Sequence, residues 1–423
     1  MSNMSVNRIR ILPQARRLWS SENLSRRLLL KVLDNIAVGS LTIHDGNDVH
    51  HFGTAGRPGE PQAQVHVHNQ RVYGKVLTGG TIASGEAYIE GDWSSPDLTE
   101  VTRLFSANLS TMETMESRQN WYVKLGLKLA HGMNKNTREG SRKNISAHYD
   151  LGNDFFRLFL DETMMYSSAI YTPQATELEQ AAVEKLDEIC RQLELSADDH
   201  LLEIGTGWGG MAIHAASHYG CRVTTTTISR EQFEFASARV KSMGLEDQIT
   251  VLCEDYRTLT GTFDKLVSIE MIEAVGHQFY ANYFQCCSAL LKPNGKMVIQ
   301  AITMTDQRYD RAKDTVDYIK RYIFPGGCLP SVSVIANHIA VDTDMQIVHL
   351  RDITMDYAHT LADWRNRFMQ RLDEVRQMGF DDRFIRMWEF YLCYCEGGFR
   401  ERIISTAQLT FAKPDYRFGQ TSH

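Results

Sequence analysis

From about residue 176 onward, apolar and polar positions fall into blocks that alternate between two periods. In "ELEQAAVEKLDEICRQLE", Leu178, Ala181, Ala182, Leu186, Ile189 and Leu193 recur every three or four residues, the mark of an amphipathic helix. Thr176 precedes this face with Glu179 three positions on, the spacing of a capping box. The runs "HLLEIG", "CRVTTTT", "QITVLCED", "FDKLVSIEMIE" and "KMVIQAITM" read as strands. Between them, "GMAIHAASHYG", "SREQFEFASARVKSMG" and "QFYANYFQCCSALLKPNG" read as helices. Strands and helices alternating at this spacing predict an α/β fold, a parallel, doubly wound sheet with helices on both faces.

The two ends depart from that alternation. Residues 1–110 mix a helical start, the β-rich stretches "GSLTIHDG" and "AQVHVHNQRVYGKVLTGG" and the Gly-rich "GGTIASGEAYIEGDW", predicting a small α+β domain. Residues 111–140 are polar and read as a helical linker, leaving 141–423 as the main domain. Beyond the sheet, 306–340 read as helical up to a break at "FPGGCLPS", 345–354 as a strand and 359–400 as two long amphipathic helices. Helices placed after such a sheet often cover its ligand-binding edge as a lid.

Composition narrows the function. The 423 residues are 43% hydrophobic and 23% charged, ordinary for a soluble protein of two or three domains. A net charge of -7 argues against general nucleic-acid binding. Residues 1–31 nevertheless hold seven Arg and Lys against the single acid Glu22, either a solvated helix face or a surface for anionic lipid. "LLLKVL" is too short for a secretory core, and no apolar run is long enough to span a membrane. The eight cysteines lie mostly in apolar patterns and suit reduced thiols in a cytosolic protein. Cys393 and Cys395 have no second pair, and the histidines of "DVHH" and "VHVHNQ" read as a surface face, so no metal is expected.

"LLEIGTGWGG" is a strand running into a glycine turn and then a helix. Gly205, Gly207 and Gly209 allow a sharp turn and close approach of a ligand, and Glu203 sits inside the strand just before them. No phosphate-binding Lys follows, which excludes a P-loop. A dinucleotide site calls for an acid at the end of the second strand, where "VTTTTISREQ" offers hydroxyls. Together these features favour S-adenosylmethionine over NAD. Gln232, three after Ser229, serves either as part of a helix cap or as a cofactor contact.

Three further stretches, "ISAHYDLGNDFFRLFLDETMMYSSAIY", "SIEMIEAVGHQFYANYF" and "YLCYCEGGFRERIISTAQLTF", resemble the cyclopropane-fatty-acyl-phospholipid synthases in order and spacing around the glycine turn. The resemblance covers roughly residues 140–415 and implies a class I methyltransferase fold. It implies methylene transfer from S-adenosylmethionine to the cis double bond of an unsaturated acyl chain in membrane phospholipid, with a bound bicarbonate as base. Carried over residue by residue, Glu273 matches the essential glutamate, Tyr357 a pocket-wall tyrosine and Cys395 a pocket cysteine. Tyr149, Tyr166, Ser167, Gly205, Gly207, Thr227, Ile228 and Gln232 match cofactor-side positions. Asp255, beside Tyr256, stands where such folds meet the adenine end, or else caps a turn.

Two positions depart from the family. Ser168 stands where a cysteine is usual, and Gln300 where a histidine is usual. Both side chains can donate hydrogen bonds to an anion, but Gln300 cannot relay a proton as imidazole does. The alternatives are a fatty-acid C-methyltransferase giving methylene- or methyl-branched chains and a small-molecule N-methyltransferase. The aromatic block Phe155, Phe156, Phe159, Met164, Met165 and Tyr166 favours a lipid. The resemblance further implies a cytoplasmic protein at the inner membrane face with peripheral membrane contact, and leaves a homodimer open.

Overall fold

The computed structural model describes residues 21–54, 56–109 and 151–417. The chain divides into two compact units, Met1–Lys124 and Leu125–His423. The expected linker at 111–140 and Tyr149 lie outside the described residues, as do Arg8, Arg10, Arg16 and Arg17.

In the first unit, helix α1 (Ser21–Leu33) leads into strands β1 (Ser40–Asp45), β2 (Asp48–Gly53) and β3 (Gln62–Val67). Helix α2 (Arg71–Ile89), strand β4 (Trp93–Ser94) and helix α3 (Leu98–Ala107) follow. The sheet order is β2-β1-β3-β4, with Leu41 and Ile43 of β1 pointing into the core. The stretch "RVYGKVLTGG", expected as part of a β-rich section, is instead the start of α2. Burial of Val72, Tyr73, Ile82, Ala83 and Ala87 on one side outweighs the poor helix propensity of its glycines. The chain bends at Gly80, whose φ of 58° breaks the helical run. Arg26 of the basic start is held by Asp45 (2.6 Å) and Asp48 (2.8 Å), so it serves the unit's own acids. Among the described residues no cluster of His, Cys, Asp and Glu is arranged to hold a metal.

Among the described residues, the second unit opens with α4 (Asn153–Arg157) and α5 (Leu178–Leu193). The alternating region follows: β5 (His200–Ile204), α6 (Gly210–Tyr219), β6 (Arg222–Thr226), α7 (Arg230–Ser242), β7 (Ile249–Leu252) and β8 (Phe263–Ile269). It closes with α8 (Tyr280–Leu290) and β9 (Leu291–Met304). Helices α9 (Asp306–Ala312), α10 (Tyr318–Tyr322) and α11 (Val332–Asp342) precede β10 (Gln346–Asp352). Helices α12 (Thr354–Gln370), α13 (Leu372–Gln377) and α14 (Asp382–Arg400) lead to β11 (Ile404–Ala412). The seven strands run in the order β10-β11-β9-β8-β5-β6-β7. Strands β5 to β9 are parallel, and β11 pairs antiparallel with β9 and β10.

Alternation along the strands builds the two layers. Leu202, Leu266, Met297 and Ile299 pack with Tyr280, Tyr283, Phe284, Ile335 and Ile339 of α8 and α11. Leu201, Val267 and Val298 pack with Leu186, Ile189, Met211 and Val240 of α5, α6 and α7. Buried on both faces, these strands put their carboxyl ends at one edge, where the glycine turn emerges.

Two local expectations are corrected. Thr176 does not cap α5: the cap position is Glu177 without a side-chain bond, and Glu179 pairs with Arg367 at 2.7 Å. The β8 strand does not continue through "EMIE". It stops at Ile269, and Glu270 turns the chain with a φ of 48° before a 3-10 turn at Ile272–Ala274. An apolar run cannot reveal this, because the two acids that break it sit at the site itself.

Candidate active site

The glycine turn leaves β5 with φ of 104° at Gly205 and 50° at Gly207, both in the region that favours glycine. Gly205 N–H and Thr206 N–H donate to the Thr226 carbonyl at 3.0 and 3.1 Å, tying the turn to the end of β6. Glu203 is buried behind it. The Thr225 hydroxyl donates to Glu203 Oε2 at 2.6 Å and pairs with the Thr206 hydroxyl at 2.7 Å. Burial raises the Glu203 carboxyl to about 8, although Thr225 and Lys185 pull it down.

Past β6, Ser229 caps α7 by accepting from Gln232 N–H at 3.3 Å. The Gln232 side chain takes another course: its Oε1 accepts from the Thr227 hydroxyl at 2.8 Å. Half-buried Ile228 lies between them in sequence. Asp255 caps the 3-10 turn Tyr256–Thr258. Its carboxylate accepts from the Arg257 backbone N–H at 3.0 Å and from Arg257 Nε and Nη2 at 2.8 and 2.6 Å. Tyr256 packs against the core and Tyr283, its ring centroid 5.6 Å away.

The segment before α5 supplies aromatic and polar walls. Tyr166 pairs its hydroxyl with that of Tyr391 at 2.7 Å and packs its ring on Phe156 and Trp364, each at 5.2 Å. Phe155, Phe156 and Phe159 are fully enclosed and belong to the core. The Ser167 hydroxyl accepts from Lys185 Nζ at 2.9 Å, inside the protein. Burial pushes Lys185 down to about 8, while Glu270, Asp161 and Glu203 pull it back up.

The centre of the site is Glu270, which sequence reasoning missed. Its Oε1 accepts from Ser168 N–H at 2.9 Å and from Gln300 Nε2 at 2.8 Å, and its Oε2 from the Tyr357 hydroxyl at 2.7 Å. Its own N–H donates to the Gln300 carbonyl at 2.7 Å. Burial raises the Glu270 carboxyl, and the three donors with Lys185 oppose that rise. Ser168 takes part through its backbone, for its hydroxyl donates to the Ala169 carbonyl at 2.9 Å. The signal available in sequence was a second acid three residues before Glu273, in a chain that departs from the family at Ser168 and Gln300.

Glu273 accepts from Ile302 N–H at 2.5 Å through Oε1, while its Oε2 is buried without a hydrogen-bond partner. Burial first, then the charge of Glu270, raises Glu273 to about 8. Cys395 lies near enough to Tyr357 and Tyr391 to raise both hydroxyls, and burial pushes its own thiol well up. Cys393 faces elsewhere, accepting from Arg365 Nη1 at 3.2 Å. The structure thus gathers Ser168, Gln300 and Tyr357 on one carboxylate, with Glu273 and Cys395 beside them.

Residues 136–409 match the family model described as Mycolic acid cyclopropane synthetase. The chain belongs to this family. Over 374 residues it is 37% identical to the tuberculostearic acid methyltransferase UfaA1 of Mycobacterium tuberculosis (strain ATCC 25618 / H37Rv), covering 86% of this chain and 87% of that one. It is 36% identical over 359 residues to the cyclopropane-fatty-acyl-phospholipid synthase of Escherichia coli (strain K12), covering 84% and 89%. The crystal structure of mycolic acid cyclopropane synthase CmaA1, complexed with SAH and CTAB, aligns with a TM-score of 0.60 at 28% identity. That alignment covers 64% of this chain and 98% of the other.

This member of the family is an S-adenosylmethionine-dependent methyltransferase with the class I fold. The residues present fit that cofactor. A side chain at Gly207 would meet nothing within 4 Å, so the turn faces open space at the strand ends. Gly205, Gly207 and Ile228 are half-buried between buried neighbours, and Tyr166 and Glu270 are half-buried as well. Gly205 and Gly207 would receive the cofactor's backbone-side edge, with Thr227, Ile228 and Gln232 beyond them. The Glu270 carboxylate, held by three donors, places negative charge at this edge, which suits a sulfonium cation.

Proposed function

We propose that this methyltransferase transfers one carbon from S-adenosylmethionine to the cis double bond of an unsaturated phospholipid acyl chain, closing a cyclopropane ring. When bound, the cofactor supplies an electrophilic methyl. The chain's own residues place buried acids beside the glycine turn, where a proton lost from the transferred carbon can be received. The observation that carries this reading is the buried set of Ser168, Gln300, Tyr357 and Glu273 around Glu270, next to the glycine turn. Ser168 and Gln300, the two positions read as donors to a bicarbonate, donate to Glu270 instead, so the proposed function does not require that anion. Membrane contact follows from a substrate that resides in the bilayer, and a cytoplasmic position follows from the source of the cofactor.

A second reading is favoured by Gln300, which holds a fixed amide where a proton-relaying imidazole is expected. If deprotonation is delayed, a hydride shift precedes it and the product is a methylene-branched chain. The 37% identity to a tuberculostearic acid methyltransferase accords with that route. Mass spectrometry of phospholipid fatty acids from expressing cells, after derivatising double bonds, separates the outcomes. A gain of CH2 without a double bond supports the ring, and a retained double bond supports the branch. An unchanged lipid profile refutes both.

A further inference from the structure

We propose that Glu270 is the proton acceptor of this enzyme, a carboxylate of the chain seated where the resemblance implies a bicarbonate. The inference rests on the proposed one-carbon transfer to an alkene. Bicarbonate would need donors that converge on one small anion; Ser168 and Gln300 stand at the positions read as such donors, and Tyr357 on the pocket wall beside them. In this chain all three converge on the Glu270 carboxylate, at 2.9, 2.8 and 2.7 Å. Both carboxylate oxygens are thereby engaged, and a second anion in the same seat would meet a like charge with no donor left for it.

The backbone is shaped for this placement. Glu270 follows the last residue of β8 and adopts a φ of 48°, uncommon for a residue with a side chain. Its N–H bond to the Gln300 carbonyl at 2.7 Å fixes the turn. Gln300 cannot flip its amide, because Gln408 Nε2 donates to Gln300 Oε1 at 3.0 Å and Gln192 Nε2 donates to Gln408 Oε1 at 2.7 Å. The departure at Gln300 therefore supplies a fixed donor to a fixed carboxylate. Glu270 is half-buried, and its neighbour Met271 has its Cγ 3.5 Å from where a Cβ on Gly205 would stand, which sets this turn beside the glycine turn. Burial raises its basicity above that of a solvated carboxylate, which suits proton removal from carbon.

The step balances as follows. The alkene electron pair forms a bond to the methyl carbon as the carbon–sulfur bond breaks, its electrons leaving on sulfur. The positive charge passes to the neighbouring acyl carbon. Glu270 then accepts one proton from the transferred carbon, and the freed C–H pair closes the ring. After a hydride shift, the same proton loss forms an exocyclic double bond. Glu270 serves both products.

The test uses the full chain, S-adenosylmethionine and dioleoylphosphatidylglycerol vesicles, with lipid product and S-adenosylhomocysteine both measured. Wild-type product formation is the control for the function itself; if no lipid product forms, the function reading falls and this inference with it. Given product, turnover of the wild type is expected to be unchanged by removing bicarbonate and CO2. Glu270→Gln is expected to lose about a hundredfold or more in kcat. Glu270→Gly, compatible with the positive φ, vacates the seat, and added bicarbonate or formate is expected to restore its turnover at least tenfold. Calorimetry of S-adenosylmethionine binding verifies that both variants are folded. Bicarbonate-dependent wild-type turnover, near-wild-type turnover of Glu270→Gln, or a folded Glu270→Gly that no small anion rescues would each overturn the assignment.

Discussion

Gln408 and Gln300 face each other across β11 and β9, and the Gln408 amide donates to Gln300 Oε1 at 3.0 Å. Both are fully buried. This contact decides which end of the Gln300 amide points at Glu270, since Oε1 is committed to Gln408 and Nε2 is left for the carboxylate. A polar relay thus runs from Gln192 on α5 through Gln408 to Gln300.

Gln408→Leu should release that amide. A buried carbonyl left without its donor costs about 1–3 kcal/mol, so the melting temperature falls by several degrees. The more specific result is kinetic. Turnover drops several-fold while S-adenosylmethionine affinity stays near wild type, because the cofactor side of the site is not touched. Steady-state kinetics with parallel calorimetry checks this; an equal loss in affinity would show that Gln408 only supports the fold.

Gly205→Ala acts at the other side of the site. With a φ of 104°, Gly205 lies where a side chain is strained, and the added Cβ would stand 3.5 Å from Met271 Cγ. Strain of about 1–3 kcal/mol is expected, and it falls on the turn that receives the cofactor. Binding of S-adenosylmethionine weakens at least tenfold while the lipid-facing residues remain in place. Isothermal titration gives the result directly. An unchanged dissociation constant would remove the turn from the cofactor site.

Much of this architecture was legible in the sequence because local physics wrote it there. The 3.6-residue face of α5 and the strand runs from β5 to β9 follow from burial, and the glycines of the turn follow from backbone angles no other residue takes easily. Ser168, Gln300 and Tyr357 were found as positions, through the resemblance, before anything linked them. What joined them was not legible. Glu270 meets its partners across sequence separations of 30, 87 and 102 residues, which no local pattern encodes. The apolar run "FDKLVSIEMIE" also reads as unbroken strand, since periodicity does not register a positive φ. Asp255 shows the converse: its partner Arg257 is only two residues away, but the tight bend that closes the ion pair has no sequence mark.

Glu273 carries a prediction about stability. Its carboxyl is raised from 4.5 to about 8, chiefly by burial and next by the charge of Glu270. A group raised on folding favours the folded state while it is protonated there. Its contribution is fully present below the unfolded value and is lost as pH climbs through the folded one. Wild-type stability should therefore decline between about pH 4.5 and 8, by an amount on the order of a few kcal/mol in total. Glu273→Gln should flatten that decline and leave the variant more stable than wild type at pH 9. Denaturation midpoints across the range decide the matter. Parallel curves for the two proteins would mean that Glu273 is not held protonated. A decline of similar size remains in the variant from Glu203, which is also raised from 4.5 to about 8, so the variant's slope is about half that of the wild type.

Lys185 is the buried cation that tempers these acids. It lies on α5, donates to Ser167 at 2.9 Å, and lowers Glu270 and Glu203 through its charge. Glu270 also faces Tyr357 from α12, Gln300 from β9, the Ser168 N–H and the raised carboxyl of Glu273. Of these, only Lys185 supplies positive charge. Replacing it by Met keeps the length of the side chain and removes that charge. The Glu270 carboxyl then rises further, and a proton acceptor must be ionised to act. The acidic limb of the kcat profile should move to higher pH, with turnover several-fold lower at pH 7 and recovering in part as pH increases. A structural defect alone would depress turnover equally at every pH, so the shape of the profile, measured on unsaturated phospholipid vesicles with S-adenosylmethionine saturating, distinguishes the two causes.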